Sequence, residues 1–479
     1  MGFPVVKKHI DESMEIRSQV QTLVLNGNRL LDAGNAEGAK ECFRQAQALI
    51  HDFGEALANL ASLRKQNGAV EDAEKYYRWA VALLPDNPGI HFNLSLLLKK
   101  RRRFAEAEAV CLQTLRLVPD SPAAWTNLGV LLACIKREDE AERCYRTAIG
   151  LDEGYSKAHF NLSYVLLRRG CFEEGWRCLE RRSSHGFLDN HFTFPRWRGE
   201  ALYGKSLIIG FEGGQGDMIQ FCRYASVLKA MGAARISVTC HPDLRTLFET
   251  LSGADEVLSF PEEVPASGWD FWTLPLSLPY YCQTRLHNIP APIPYLKADP
   301  TRVAKWSPLL PASGFRIGLV WKGNPSFEND DNRSLPSLDV LAPLGAVSGV
   351  HFVSLQKGQG EEDAQRPPAG LRLLALGSAL RDFADTAAIM TCLDLVISVD
   401  TAVAHLAGAL GKPCWVLLPD HLTDWRWLTE RTDSPWYPKG MRLFRQLPGG
   451  SWSRVIAAVL EALESCKKEW DAAQGPVQE

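Results

Sequence analysis

Several features that would place the protein in a specialised class are missing from its sequence. The 12 cysteines include no C-x-x-C pair, which argues against a zinc site or a disulfide framework. The formal net charge is only -3, so the basic excess expected of a nucleic-acid-binding protein is absent. No apolar run approaches the length of a membrane span, and the first residues lack the apolar stretch of a secretory signal. We therefore expect a cytoplasmic globular protein with no membrane span and no nucleic-acid partner.

Length and composition point to a folded chain with more than one domain. At 479 residues the protein is too long for a single ordinary core. Hydrophobic residues make up 46% of the sequence and charged residues 23%, as in globular rather than disordered proteins. Different regions of the chain should therefore be considered separately.

A short pattern recurs every 34 residues in the first part of the chain. It contains an alanine in one predicted helix and a leucine in another, and two of its copies end at Pro85 and Pro119, where a helix must stop. The recurring residues are Ala39, Ala73, Ala107 and Ala141, with Leu60, Leu94, Leu128 and Leu162. This period is that of the tetratricopeptide repeat, a pair of helices that must stack on its neighbours to bury its apolar face. The pattern predicts an α-helical solenoid over residues 20–190, with four repeats and a degenerate fifth, after a leader (1–19) that is helical or disordered.

Asparagine also recurs at this period, directly before the repeated leucines. The residues are Asn59, Asn93, Asn127 and Asn161. Asparagine is a poor helix former, so helix propensity does not explain its presence. A row of amides on the inner wall of the solenoid would bind the main chain of an extended polypeptide. The alternative is that each asparagine bonds to a neighbouring helix and only shapes the solenoid.

The second part of the chain alternates short apolar strands with helices. The strand-like segments are SLIIGFEG, ISVTC, EVLSF and FWTLPLSLP, then FRIGLVW, VHFVSLQ, LRLLALG, DLVISVD and CWVLLP. This alternation predicts parallel sheets covered by helices, in two Rossmann-like α/β halves joined by a proline-rich stretch. We assign residues 191–312 to the first half, on the acceptor side, and 313–470 to the second, on the nucleotide-sugar side. Residues 471–479 are expected to form a disordered tail.

One glycine-rich turn follows the first of these strands. Its candidate residues are Gly214 and Gly216, which allow a ligand close to the backbone, and Asp217 at the start of the next helix. The turn matches neither the dinucleotide-binding spacing nor a P-loop. The alternative role for Asp217 is to cap the helix.

A second strand-to-helix turn contains Asp400, Thr401 and Ala402, with His405 one turn into the helix. Exposed amides at a helix N-terminus favour a phosphate group. Thr401 could cap the helix or donate its hydroxyl to that phosphate. His405 could reach the phosphate or a sugar, or it could be an ordinary histidine packed against the sheet.

Further polar residues follow neighbouring strands of the second half. Lys322 comes directly after FRIGLVW, and Arg333 is a second cation nearby. Gln356 and Glu361 follow the next strand. Cations at strand ends can neutralise a departing diphosphate. The alternative for Lys322 is a solvated surface lysine. A later segment, DWRWLTERTDSPWYPKGMRLFRQ, could stack on a base, form a closing loop, or be a packed aromatic surface.

The α/β part resembles glycosyltransferase family 9, the group that includes the lipopolysaccharide heptosyltransferases. The resemblance rests on the G-x-G-D turn and on D-T-x-x-A-H-L-A-G-A-L-G-K-P, which here runs from Asp400 to Pro413. The combination with repeats is similar to bacterial repeat-fused glycosyltransferases, including those proposed to modify flagellin. It also resembles the O-linked N-acetylglucosamine transferase, whose repeats carry an asparagine ladder.

The resemblance implies a GT-B fold and an inverting transfer that needs neither a metal nor another cofactor. By resemblance, Asp217 corresponds to the general base and Lys322 to the phosphate-neutralising lysine. Asp400, Thr401 and His405 correspond to the donor loop, and Glu361 to an acid that holds the ribose. Ala402 departs from the family, which usually has glycine there. No D-x-D triplet, which holds a metal in other glycosyltransferases, occurs in the α/β part.

The sequence thus predicts a glycosyltransferase that moves a sugar from a nucleotide-sugar to a polypeptide hydroxyl held by the repeats. Two alternatives remain at this stage. One is a non-catalytic scaffold with a degenerate α/β part, and the other is an enzyme that acts on a glycan and uses its repeats for assembly, which includes association with a second copy.

Overall fold

The computed structural model describes residues 3–183, 188, 190–260 and 264–474. Two compact units can be distinguished, the first ending at Ala158 and the second beginning at His159. Among the described residues, the first unit contains helices and no strands, and the second contains both parallel sheets. The predicted fold class, a helical repeat array followed by an α/β part, is confirmed.

In its described part, from residue 3 onward, the first unit contains seven complete helices and the start of an eighth. They are α1 (Phe3–Asp32), α2 (Ala36–Gln66), α3 (Val70–Leu83), α4 (Pro88–Lys100), α5 (Phe104–Leu117), α6 (Pro122–Cys134), α7 (Glu138–Leu151) and α8 (Ser156–Arg168). The leader predicted at residues 1–19 is helical from Phe3, and Met1 and Gly2 lie outside the described residues.

The helix starts in this unit follow from local sequence. Asn87 caps α4 by accepting hydrogen bonds from the amides of Gly89 and Ile90, and Ser121 caps α6 in a similar way. Each cap is followed by a proline, which suits the first turn because that turn needs no amide donor. These capped prolines explain why the chain turns sharply between repeats.

The first repeat departs from this plan because α2 continues without a break through 31 residues. A helix–turn–helix repeat implies an interruption near residue 51. The later repeats have prolines at that point, whereas the first repeat has the sequence IHDF. With no proline and no cap, the helix has no reason to stop.

Successive repeats are joined by ion pairs at the same 34-residue period. Arg103 donates to Glu74 at 2.5 Å, and Arg137, which is 34 residues further on, donates to Glu108 at 2.7 Å. Glu74 is the most enclosed of these carboxylates, because Arg78 and Arg101 contact it as well. The repeated alanines on the same helices are fully buried next to these ion pairs. They are Ala73, Ala107 and Ala141.

The second unit begins with the rest of α8 and with α9 (Phe172–Leu179). Its later helices are α10 (Gln215–Phe221), α11 (Tyr224–Ala230), α12 (Pro242–Phe248), α13 (Leu278–Tyr281), α14 (Pro300–Trp306), α15 (Asp330–Arg333), α16 (Phe383–Thr391), α17 (Ala402–Ala409) and α18 (Trp452–Gln474).

Two parallel sheets make up the α/β part. The strands are β1 (Ser206–Ile209), β2 (Arg235–Cys240), β3 (Glu256–Ser259), β4 (Phe271–Thr273), β5 (Phe315–Val320), β6 (Val350–Ser354), β7 (Leu373–Ala375), β8 (Leu395–Val399), β9 (Cys414–Leu418) and β10 (Met441–Arg445). The first sheet has the order β3-β2-β1-β4, and the second has the order β10-β9-β8-β5-β6-β7. The crossovers place β1 and β8, whose following turns carry the candidate residues, inside their sheets.

Three features of the second unit differ from the sequence predictions. Helix α9 and most of α8 lie in this unit, whereas the sequence prediction extended the solenoid to residue 190. Strand β10 was not predicted, because its five residues lie within an aromatic, arginine-rich segment. The predicted tail from residue 471 is wrong up to Gln474, because Lys467 pairs with Asp471 and extends the helix. Residues 475–479 of that tail, and residues 184–187 and 189 of the predicted solenoid, lie outside the described residues.

Candidate active site

The glycine-rich turn after β1 delivers Asp217 to the first turn of α10. Gly213 has a φ of +73°, a conformation that suits glycine, and Gly214 is the N-cap. The Oδ2 atom of Asp217 accepts a hydrogen bond from the amide of Gly214 at 2.7 Å. Asp217 therefore has the helix-capping role considered as the alternative, but only one of its oxygens is needed for it.

The second oxygen of Asp217 contacts an arginine from the other half of the α/β part. Arg426 donates through Nη2 to Asp217 Oδ1 and through Nε to Gln220, and its Nη1 lies 3.0 Å from Asp424 Oδ1. Arg426 is buried, with an exposed fraction of 6%. Sequence analysis did not select Arg426, although it lies in the tryptophan-rich segment that could have formed a closing loop.

Burial controls the acidity of Asp217. It raises the pKa of the carboxyl above its usual value, while the charge of Arg426 and the Gly214 amide oppose that increase. A carboxylate with a raised pKa accepts a proton more readily. This environment is suitable for a general base.

The turn after β8 contains the second group of candidates. Asp400 and Thr401 precede α17, and the Thr401 side chain makes no capping bond to that helix. Its Oγ1 lies 3.1 Å from the Ser398 hydroxyl instead, so capping is not its role here. Burial raises the pKa of Asp400 to about 6, and the nearby Asp424 carboxylate adds to this effect while Arg333 opposes it.

His405 lies within α17 and is held on two sides. Its Nδ1 lies 2.9 Å from the Tyr437 hydroxyl, and its ring stacks on Trp427 with a centroid distance of 5.3 Å. Burial and the charges of Arg426 and Arg223 lower its pKa well below the usual value, so the ring is neutral near pH 7. This matches the packed histidine considered as an alternative, and only Nε2 is left for a substrate.

The two candidate turns meet each other directly at Gly216. A Cβ atom placed on Gly216 would lie 3.0 Å from His405 Cδ2 and 3.4 Å from Ala402 Cα. Such separations are too short for most side chains, so glycine permits this approach. The backbone therefore brings Asp217 next to the N-terminus of α17.

The lysine turn lies on the neighbouring strand but is held by its own bonds. Val320 pairs with Ser398 in the sheet, so the turns that follow β5 and β8, which contain Lys322 and Asp400, begin at the same edge of the sheet. The Lys322 ammonium donates to the Pro336 carbonyl at 2.9 Å. This side chain is half-buried rather than freely solvated.

The structure gives Gln356 a different role from the predicted donor contact. Its Oε1 accepts from the amides of Trp321 and Lys322, both at 3.0 Å, and its Nε2 donates to Gln359 O at 2.8 Å. The side chain is almost completely buried, with 1% exposed. Gln356 therefore fixes the turns after β5 and β6, and its amide is not presented to a ligand.

Two further charged candidates lie around this edge. Arg333 pairs with Asp330 at 3.0 Å and covers the ring of Phe327 at 4.2 Å, and its charge opposes the raised pKa of Asp400. Glu361 accepts the Gly358 amide at 3.0 Å, so part of its carboxylate supports its own turn.

The asparagines differ from one another in their surroundings. Asn59 is exposed and Asn93 is half-buried. Asn127 is buried, and its amide donates to Ser95 Oγ at 2.7 Å and to Cys111 Sγ at 3.3 Å. For Asn127 the structure therefore supports the alternative, in which the side chain bonds neighbouring helices. Asn161, in the second unit, is half-buried.

Within the described residues, no helix has both the length and the apolar character needed to cross a membrane. The same residues contain no group of three or more His, Cys, Asp or Glu side chains arranged as metal ligands.

Comparison with known proteins gives two family matches. The tetratricopeptide repeat family matches residues 24–88, 59–122 and 92–142. Glycosyltransferase family 9 (heptosyltransferase) matches residues 347–418. This second segment includes the whole turn from Asp400 to His405, whereas Asp217 lies outside it.

Individual proteins resemble parts of the chain. Protein FlbA of Caulobacter vibrioides is 29% identical over 345 residues, which cover 66% of this chain and 56% of FlbA. The chain thus aligns with little more than half the length of that relative. Among solved structures, PilF of Pseudomonas aeruginosa is 18% identical with a TM-score of 0.29, and covers 45% of this chain and 86% of its own. The protein TTC0263 of Thermus thermophilus is 22% identical with a TM-score of 0.26, and covers 36% of this chain and 95% of its own.

The repeats, the two parallel sheets and the family matches agree with one another. The first part of the chain carries tetratricopeptide repeats, and its α/β part is similar to glycosyltransferase family 9 over residues 347–418.

Proposed function

We propose that the protein is an inverting, metal-independent glycosyltransferase of the GT-B type, which moves a sugar from a nucleotide-sugar to a hydroxyl group of a polypeptide. The observation that carries this proposal is the approach of the two turns at Gly216, which brings Asp217 close to the start of α17. A base and a phosphate-binding helix end would then lie on either side of one reacting centre.

The donor would bind at the strand ends of the second half. The first amides of α17 favour the diphosphate, as does the positive end of the helix. Arg333 and Lys322 supply positive charge at the same edge. Asp400 and Thr401 would contact the sugar or phosphate oxygens. With these cations and amides, the leaving group needs no divalent ion.

The reaction follows from this arrangement. The acceptor oxygen attacks the anomeric carbon from the face opposite the diphosphate, and the bond between that carbon and the phosphate oxygen breaks. The hydroxyl proton passes to Asp217, because a neutral hydroxyl is a weak nucleophile. The diphosphate keeps the bonding electrons, and its charge is stabilised by the helix amides and cations. Configuration at the anomeric carbon is inverted.

The repeats would bind the polypeptide that carries the acceptor. Asn59 is exposed, and Asn93 and Asn161 are half-buried, so these are the more accessible members of the asparagine row. Amides of this kind can bond to any peptide main chain. Asn127 would support the repeats instead, because its amide is already bonded. Fewer asparagines would therefore be available to bind the polypeptide than the sequence predicted.

The scaffold alternative has one specific observation in its favour. Both oxygens of Asp217 are engaged, one by Gly214 and the other by Arg426. In a degenerate enzyme, this pair would simply hold the two halves together. A scaffold of this kind would bind no nucleotide-sugar.

Substitution of Asp217 by asparagine separates the two functions. Asp217→Asn keeps an oxygen for the Gly214 amide but removes the base, so sugar transfer should fall by about 100- to 10,000-fold. Turnover is measured as nucleotide release and as the mass gain of a co-expressed candidate acceptor. Calorimetry with a panel of nucleotide-sugars reports donor binding.

Asp339→Asn is the matched control, because Asp339 is exposed in the same α/β part. It should retain wild-type turnover. Equal turnover in Asp217→Asn and the wild type would remove Asp217 from the mechanism, and failure of every nucleotide-sugar to bind would favour the scaffold.

A further inference from the structure

Arg426 connects the two halves of the α/β part through a single guanidinium group. It lies in the segment after β9 and bonds to Asp424 of its own half, at 3.0 and 3.1 Å. The same side chain bonds to Gln220 and Asp217 of the other half. Arginine side chains are rarely buried, and a buried arginine needs a charged partner to offset the loss of hydration. Arg426 has two such partners, the carboxylates of Asp217 and Asp424.

This guanidinium lies beside the proposed diphosphate site. Asp217, which it contacts, directly follows Gly216, and Gly216 packs against Ala402 at the start of α17. The charge of Arg426 also acts on both Asp400 and His405, the residues that flank the N-terminus of α17. A phosphate bound to the first amides of α17 would therefore be close to Arg426.

A diphosphate and Asp217 would then compete for the same cation. Phosphate oxygens are strong partners for arginine, whose planar group can bond to two oxygens at once. We propose that the donor diphosphate draws Arg426 away from Asp217, so that Asp217 becomes a free base only once the donor is bound. This inference rests on the proposed function. It makes Arg426 a positioning residue for the base and a direct ligand of the donor.

The segment that carries Arg426 has features that suit such an exchange. Leu422, Leu428 and Glu430 have φ values of 53°, 54° and 56°, which are uncommon for residues other than glycine. Arg426 keeps its contact with Asp424 when it leaves Asp217, because different nitrogens make the two bonds. A small rotation of the guanidinium is then sufficient.

The proposal predicts an order of binding. With no donor, Asp217 is held by Arg426 and does not activate a hydroxyl. With the donor present, Arg426 neutralises the diphosphate, and the carboxylate can accept the acceptor proton. The acceptor should therefore bind productively only after the donor.

The competition can be tested by a double-mutant cycle on the full chain. The probes are ADP, GDP, UDP and dTDP, with affinities measured by calorimetry in the wild type, Asp217→Asn, Arg426→Gln and the double variant. Asp217→Asn should bind the preferred nucleotide about three- to tenfold more tightly than the wild type, because the competing charge is gone. Arg426→Gln should bind it more weakly by a similar factor, and the double variant should equal Arg426→Gln.

Arg431→Gln is the control, since Arg431 lies on the same segment but pairs with Asp433 near the surface. Its nucleotide affinity should be that of the wild type. Arg426→Lys should restore part of the affinity, because it keeps the charge. If the circular dichroism spectrum shows that Arg426→Gln is unfolded, the nucleotide affinity of Asp217→Asn alone tests whether Asp217 competes for Arg426.

Two results would overturn the inference. Equal or weaker nucleotide binding by Asp217→Asn, with clear binding by the wild type, would show that Asp217 does not compete for Arg426, and would leave the proposed function intact. If no nucleotide binds any variant, both the inference and the proposed function fall.

Discussion

Asp400 illustrates how a candidate site residue can carry a cost in stability. Its folded-state pKa is about 6, against an ordinary value of 3.8, because burial and the Asp424 carboxylate oppose its ionisation. The folded protein thus keeps this proton at pH values where the unfolded chain has lost it. The contribution of Asp400 to the free energy of unfolding therefore decreases as pH rises from about 4 to about 6, and this contribution does not change further above that window.

Replacing this carboxyl should remove the cost. We expect Asp400→Asn to raise the free energy of unfolding at pH 7 by ~1–3 kcal/mol and to have little effect below about pH 4. Urea denaturation of the variant and wild type from pH 4 to 8 measures the difference, with Asp339→Asn as the control. Donor affinity should decrease in the same variant, as is common when a site residue is removed. A difference in stability that is constant with pH would contradict this explanation.

Only part of the site could be predicted from the sequence. The turns that contain Asp217 and Asp400 are local, because a strand, a short turn and a helix start follow one another in the chain. Arg426 could not be found in this way, since Asp217 precedes it by 209 residues. The bonds of Gln356 to Trp321 and Lys322 also depend on the pairing of β5 with β6. The sequence alone therefore suggested that Gln356 contacts the donor, whereas in the structure its side chain holds the turn after β5.

At the scale of elements, one member of the asparagine row holds neighbouring helices together. The amide of Asn127, on α6, reaches Ser95 on α4 and Cys111 on α5. A buried hydrogen bond of this kind costs about 1–3 kcal/mol when one partner is removed. The stability of the repeat array thus depends on Asn127.

We expect Asn127→Ala to loosen the repeats locally. Amide hydrogen exchange in α4 and α6 should become faster, because these helices would open more often. Asn59→Ala is the comparison, since Asn59 is exposed, and it should leave exchange unchanged. Unaltered exchange in Asn127→Ala would mean that its bonds contribute little, and the row would again be open to a uniform role in peptide binding.

The same elements show what a periodic sequence can and cannot predict. The 34-residue spacing gave the helix pairs correctly because burial repeats with it, as at Ala73, Ala107 and Ala141. It did not reveal that α2 is continuous, because a period does not record whether a proline or a cap is present at each turn. Local stop signals and long-range periodicity are separate kinds of information.

At the scale of the molecule, the last helix of the repeat pattern, α9, packs into the core of the α/β part. Phe172, Trp176 and Leu179 of α9 are buried in the same core as Trp425 and Trp436. The Trp176 indole donates to Thr284 O at 3.0 Å. Just beyond α9, Arg182 makes two bonds to Glu212, at 2.6 and 2.9 Å, and both side chains are buried. The last repeat helices therefore complete the α/β core.

Two truncated chains test this conclusion. Residues 156–479 keep α8 and α9 and should fold, whereas residues 191–479 should be insoluble or lack cooperative unfolding. The shorter chain loses the ion pair of Arg182 with Glu212, and it exposes the apolar residues of the α/β core that α9 covers. Removal of one large aromatic side chain such as Trp176 from a core costs about 3–5 kcal/mol, which is a large share of the ~5–15 kcal/mol that stabilises a typical domain. Soluble yield and a thermal transition followed by tryptophan fluorescence report the outcome. A cooperative transition in residues 191–479 would show that α9 only rests on the α/β core, and the domain boundary would then return to residue 190.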